Sequence, residues 1–531
     1  MAKQNPENLI TDFIGLPLST GLTPTVALAQ FVFACVTMGG FMFTHGLNID
    51  EELGLFTSLS ISSQGRFSLE LLGQILQPPG ILPLAPYVML AIAYIGAYTI
   101  ILSLHGLRHT WKSQLGFLIF ILFPINWLNQ EWSGLAAGLA LGLACTTTAA
   151  WLTIKTIDYQ LPPLGRQTIS ILIVILLVLA LSTFQSQITL YLTMGLGIAL
   201  FSISNHQSEG SKNKWTYLRA WTVHALAAFG AYAITVKAFL AFTNQNIQHV
   251  NVYFRSPYYM LRTEPIKYIL GNVEQFLRTY LTPDMFFGHP LYGLPLILGG
   301  SLILYFCQSK PSRLQLQSAG IYLKTGWPAI IAWIALLAVP MALNIISKPY
   351  RIPMRALFAV PYVAWFSTMI WLEISTKLKR PKTLAFGGLL ACLLILQSMI
   401  TISHYYAARA YNQRSDQLVA STIAAAIAAG SNQGPEVNQL ITQGSLDREQ
   451  PYRTGWYSFA GSSFFGWDSG INARARISAW LRAMGIAGLN PVAKGDENRF
   501  DSQFQTMKTW PQPGSIKVVD QTVLIKLNEK K

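Results

Sequence analysis

Charge is scarce in this chain. Only 11% of its 531 residues are Asp, Glu, Lys or Arg, against about a quarter in a soluble globular protein. Apolar residues make up 52% and gather in blocks of roughly 17–25, the length that crosses a bilayer, which excludes a water-soluble globule. Cysteine is nearly absent: Cys35, Cys145, Cys307 and Cys392 each sit inside an apolar run. That excludes a disulfide framework and any zinc spacing and leaves small buried hydrophobes. No GxGxxG, Walker or nucleophile-elbow motif occurs, so nucleotide-driven transport and hydrolase chemistry lose support. The formal net charge is +15, but the basic residues lie in short loops without aromatic interleaving, so no nucleic-acid partner is expected.

What is present is a series of apolar runs at 24–43, 83–104, 115–128, 134–154, 168–183, 187–203, 216–242, 291–308, 327–347, 353–375 and 383–403, about eleven candidate spans. The third is short and ends at Pro124, so a break, a tilt or a re-entrant turn is expected there. The polar start, MAKQNPENLITDF, predicts no cleavable signal peptide. Alternate loops differ twofold in Lys and Arg, and the richer set is assigned to the cytoplasm. The N-terminus is then inside, and the loops 44–82 and 243–290 are outside. The second of these mixes aromatic and basic residues over helical stretches, as an interfacial helix or a cover over a lipid-phosphate site would.

From His404 onward the material is polar and rich in turns. Residues 416–429 and 472–484 have helical spacing. GSIKVVDQTVLIKLN alternates like a strand pair with a turn near Asp520. The fold class expected is therefore an all-α polytopic membrane protein over 1–403 with a small external α+β domain over 404–531.

Three consecutive acids, Asp50, Glu51 and Glu52, follow the first apolar run at the edge of the bilayer. Sugar transfer to a hydroxyl needs a carboxylate to take the acceptor proton and positive charge to stabilise the departing phosphate. Asp50 or Glu51 supplies the base and Glu52 supports it. A divalent cation (Mg or Mn) is the one cofactor such a triplet would hold, although the reaction is read as metal-independent or only weakly metal-assisted. The competing reading is a solvated loop end.

Arg66, the only basic residue of that loop, suits a phosphate or an ion pair with the acids. Lys348, Arg351 and Arg355 form a second basic corner, able to grip a lipid phosphate or to snorkel to headgroups. Glu131, with Trp127 and Trp132, reads first as an interfacial aromatic belt and second as a sugar-stacking site. His105 and His109 share a helix face but fall in a basic inner loop, and read as surface residues.

The acidic cluster, the downstream Gly65-Arg66-Phe67, the Phe184-Gln185-Ser186 step between two close spans, and the tail Trp510-Pro511 … Gly514-Ser515-Ile516 … Leu524-Ile525-Lys526-Leu527 resemble the serotype-converting O-antigen glucosyltransferases of bacteria and their phages. Those belong to the C-type (GT-C) class of polytopic glycosyltransferases. The resemblance implies an active site on the periplasmic face of the inner membrane and an undecaprenyl-phosphate-linked hexose donor, usually glucose. It also implies a lipopolysaccharide O-antigen or similar glycan acceptor, and functional partnership with a flippase and a polyprenyl-phosphate sugar synthase. Gln185, Glu131 and Trp132 join Arg66, Arg351 and Arg355 as expected substrate-binding residues. Family members frequently carry adjacent Asp residues where this chain has Asp50-Glu51, which leaves the identity of the base open. The rivals are a polyprenyl-linked sugar flippase, which would put ionisable residues inside broken spans, an oligosaccharide ligase or polymerase, and a non-enzymatic scaffold.

Overall fold

The computed structural model describes residues 20–43, 65–76, 84–131, 133–158, 162–203, 214–243, 263–281, 290–293, 299–300, 321–323, 327–345, 356–431, 437–446, 462–467, 470–486 and 488–529. They fall into two compact units, divided on the described chain near residue 402.

The first unit is helical. Its elements are α1 (Pro24–Phe43), α2 (Phe67–Leu76), α3 (Ala85–Leu104), α4 (Trp111–Leu122), α5 (Pro124–Gln130), α6 (Ser133–Asp158), α7 (Pro163–Thr183), α8 (Gln187–Leu200), β1 (Phe201–Ile203), α9 (Lys214–Phe242), α10 (Pro265–Leu281), β2 (Ile321–Leu323), α11 (Trp327–Ala338), α12 (Val360–Lys377) and α13 (Pro381–Ser431), the last of which runs on into the second unit. Proline in the first turn, where no intrahelical N–H is needed, opens α3, α5, α7 and α12. Gly106, with φ +68°, closes α3, letting Leu107 N–H reach back to the Leu102 carbonyl at 2.8 Å.

Five described helices are long and apolar enough to cross a bilayer, or six when α4 and α5 are taken as one bent span. They make a polytopic membrane architecture. Outward-facing leucines, isoleucines and phenylalanines on α1, α7, α9 and α13 are exposed, as lipid-facing side chains must be. The expected break at Pro124 is there, as a 50° bend between α4 and α5. Proline cannot donate to the Phe120 carbonyl four residues back. Asn126 Nδ2 donates to that carbonyl instead, at 2.5 Å, so no bare acceptor is left in the apolar interior. The 291–308 run lies almost wholly outside the described residues.

Helix α3 packs along α6, α6 along α7, and α9 against α7 and α8. At the end where α3 meets α4, two features correct the sequence reading. His105 is buried, not on the surface. Its Nδ1–H donates to the Phe201 carbonyl at 3.1 Å, and its Nε2 accepts from Tyr362 Oη at 2.8 Å. Burial pushes the imidazole down to about 4, so it stays neutral. Lys112, at the head of α4, belongs by sequence to the basic inner loops, yet its ammonium is buried against Glu373 on α12 at 2.5 Å. One charge of the basic inner set is therefore neutralised internally.

The second unit holds the end of α13, then β3 (Gln439–Gln443), α14 (Gly470–Ala483), β4 (Asn490–Pro491), α15 (Asp501–Thr506), β5 (Ile516–Val519) and β6 (Thr522–Lys526). The strands order β4-β3-β6-β5, with β3 parallel to both its neighbours and β5–β6 an antiparallel hairpin turning at Asp520. Ile441, Val492, Phe500, Phe504, Met507 and Leu524 form its core. The tail motif is structural: Trp510 N–H donates to the Lys526 carbonyl, and Lys526 N–H donates to that of Ser515. Lys526 is buried, its ammonium donating to the Met507 carbonyl at 3.1 Å and paired with Glu529 at 3.0 Å.

Candidate functional site

Two short motifs that lie far apart in the sequence meet in space. Gly65 takes a left-handed φ of +80°, a conformation that glycine adopts without steric cost. The turn it makes delivers Arg66 and Phe67 to the start of α2. Helix α2 is held by Leu69 lying over Gly138 of α6 and by Ser182 of α7, whose Oγ donates to Ser68 Oγ. The second motif, Phe184-Gln185-Ser186, is the tight turn between α7 and α8.

Tyr232, in the middle of α9, ties them together. Its hydroxyl donates to the Gly65 carbonyl at 3.0 Å and accepts from Gln185 Nε2 at 3.1 Å. A Cβ on residue 65 would collide with that same hydroxyl. Phe67 stacks near Tyr232 and on Phe239 of α9, with centroids 6.5 and 5.5 Å apart. The Arg66 guanidinium lies over the Phe184 ring, 5.0 Å from its centroid, a cation–π contact that holds a half-buried cation in place.

Beneath the turn, a polar seam continues between α6 and α8. Thr146 Oγ1 donates to Gln187 Oε1 at 3.3 Å, and Thr153 Oγ1 meets Tyr191 Oη at 2.7 Å. Gly142 leaves the space that Thr183 and Gln187 fill. Among the described residues Ser186 Oγ and Gln187 Nε2 are buried without a hydrogen-bond partner, a state that costs about 1–3 kcal/mol per group. The arrangement is an anchored cation, with an amide and a phenol beside it, above a column of buried hydroxyl and amide groups. It is suited to hold an anionic, hydroxyl-bearing group.

The other expected site residues fare differently. Arg66 and Gln185 are brought together. Glu131 is almost fully buried at the end of α5, as is Trp127, so neither belongs to an aromatic belt facing headgroups. The backbone there is fixed by Tyr87 Oη donating to the Gln130 carbonyl at 2.8 Å. Asp50, Glu51, Glu52, Trp132, Arg351 and Arg355 lie outside the described residues. No three His, Cys, Asp or Glu side chains come together to hold an ion among the described residues. Cys35, Cys145 and Cys392 are free thiols, and Cys392 is exposed where a buried one was expected. Tyr232 was missed by sequence reasoning. It sits mid-span in an apolar helix, where nothing local marks the partners its hydroxyl will meet.

The fold defines a multi-span membrane protein that carries an anchored cation at a helix–helix turn. Residues 39–372 match the family described as Glucosyl transferase GtrII. The match covers well over half the chain, so the chain belongs to that family, and its class of activity is glucosyl transfer. No curated protein and no solved structure matches the chain.

Proposed function

We propose that this protein moves glucose from a polyprenyl-phosphate carrier to a hydroxyl of O-antigen or another surface glycan, on the periplasmic side of the bacterial inner membrane. The N-terminus is then cytoplasmic and the 404–531 region periplasmic. Family membership supports the transferred sugar. The observation that carries the carrier chemistry is Arg66, pinned over Phe184 beside the Gln185–Tyr232 pair. A leaving phosphate gains negative charge as the glycosidic bond breaks, and a pre-positioned guanidinium stabilises that charge without reorganising.

In the proposed reaction Asp50 or Glu51 takes the proton of the acceptor hydroxyl while its oxygen attacks the anomeric carbon, and Glu52 supports that base. The bond from that carbon to the phosphate oxygen breaks, with inversion, and its electron pair leaves on the lipid phosphate. Arg66, with Arg351 or Arg355, holds the phosphate.

The test uses purified protein in proteoliposomes with a radiolabelled polyprenyl-phosphate glucose and a glycan acceptor. Transfer must release lipid phosphate in step with labelled glycan. Asp50→Asn and Glu51→Gln, made singly, must abolish transfer in at least one case at unchanged membrane expression; activity kept by both removes the proposed base. Movement of intact donor across the bilayer without phosphate release would make the protein a flippase instead.

A further inference from the structure

Helix α10 carries Ile266, Ile269, Leu270, Val273 and Leu277 at the spacing of a single helical stripe, each between 46% and 73% exposed. Tyr268 and Tyr280 are buried instead. Tyr280 Oη donates to the Leu337 carbonyl at 2.7 Å, fastening α10 to α11. The charged residues flank the stripe and cancel in pairs: Lys267 with Glu264 at 3.0 Å, and Arg278 with Glu274 at 2.7 Å. Helix α11 itself exposes Trp327, Ile331 and Ile334. The stripe thus continues an apolar exterior that belongs to the membrane-embedded bundle.

We infer that α10 lies flat in the membrane interface, its stripe seated among the upper acyl chains and its ion pairs level with the headgroups. At 17 residues it is about 25 Å long, and with Lys267, Glu274 and Arg278 along it, it does not cross. A soluble protein docking on the stripe would have to cover lipid-facing α11 as well. Since its charges cancel locally, the seating rests on apolar contact and is insensitive to salt and to anionic lipid. The inference uses only the membrane character of the fold and stands apart from the transfer chemistry.

The experiment places the photo-crosslinking residue p-benzoylphenylalanine at 270, 273 or 267 in the full chain, reconstituted in nanodiscs of phosphatidylethanolamine and phosphatidylglycerol. Mass spectrometry reads the adducts. The expected result is phospholipid adducts at 270 and 273, several-fold above those at 267. They should not change between low and high salt, or when neutral lipid replaces phosphatidylglycerol. Equal lipid adducts at all three positions, no lipid adducts at 270 and 273, or adducts that vanish with salt would overturn the inference. So would crosslinks to a second protein when the same variants are irradiated in native membranes. Because irradiation is read on chains that have already passed size-exclusion chromatography, a variant that fails to fold is set aside in favour of the neighbouring position 269.

Discussion

Tyr232→Phe removes one oxygen and keeps the ring. What disappears is the donation to the Gly65 carbonyl at 3.0 Å and the acceptance from Gln185 Nε2 at 3.1 Å. The ring contacts with Phe67 and Phe229 survive. A net hydrogen bond contributes about 1 kcal/mol, so the two together contribute about 2 kcal/mol. That loss falls on the turn that carries Arg66 and not on bulk packing. Felt in full in the transition state, it lowers kcat/KM about 30-fold, at tenfold per 1.4 kcal/mol. The phosphate gains charge as the reaction proceeds, so kcat should fall more than the donor KM rises. The assay is release of lipid phosphate from labelled donor in proteoliposomes, with unchanged elution on size-exclusion chromatography as the control for folding. A cycle with Arg66→Gln gives the sharper reading. If Tyr232 works by holding Arg66, the double variant is no slower than Arg66→Gln alone. A Tyr232→Phe enzyme within twofold of wild type, or effects that multiply in the double variant, would refute the coupling.

Gly65→Ala must adopt φ +80° with a side chain and push its Cβ into Tyr232 Oη; activity should drop at least as far as in Tyr232→Phe, and adding Tyr232→Phe to it should recover part of the loss, measured in the same assay. Lys112→Met leaves Glu373 buried without its cation, a change that costs about 3–5 kcal/mol. The thermal midpoint should fall sharply and be largely restored in Lys112→Met/Glu373→Leu. His105 is held near 4 in the folded chain, against 6.5 when unfolded. The unfolded chain therefore binds this proton first, and stability present above pH 6.5 is lost as the pH falls toward 4, by about 2 kcal/mol at pH 5. Denaturation midpoints from pH 7 to pH 5 check this, and His105→Gln should remove that part of the slope.

Local signals in the sequence were read correctly where the chemistry is local. Pro124 announced the bend between α4 and α5 because a missing N–H and a ring clash act within one helical turn. Alternation around Asp520 announced the β5–β6 hairpin. The parallel pairing of β3 with β6 was not legible, since it joins strands some eighty residues apart with no turn to mark it. The change to polar composition at His404 read as the end of a helix, yet α13 runs unbroken from Pro381 to Ser431. Composition alone does not stop a helix, and no proline or glycine occurs between Leu389 and Ala429. In the site, Arg66 and Gln185 were picked out singly, but their meeting depends on Tyr232, 167 residues beyond Gly65. His105 was misjudged for a related reason: its partners Phe201 and Tyr362 come from a strand and a helix far along the chain, and a histidine in a basic loop carries no sign that an acceptor and a donor will enclose it.

The bond from Tyr232 to Gly65 spans 167 residues of chain, and a ribosome adds about 5–20 residues per second. For roughly 10–30 seconds after Arg66 has been synthesised, the nascent chain therefore lacks α9 to lock that arginine in place. The turn is completed only once α9 has entered the membrane and docked on α7 and α8, so half-made chains carry the cation without the geometry that the proposed transfer requires.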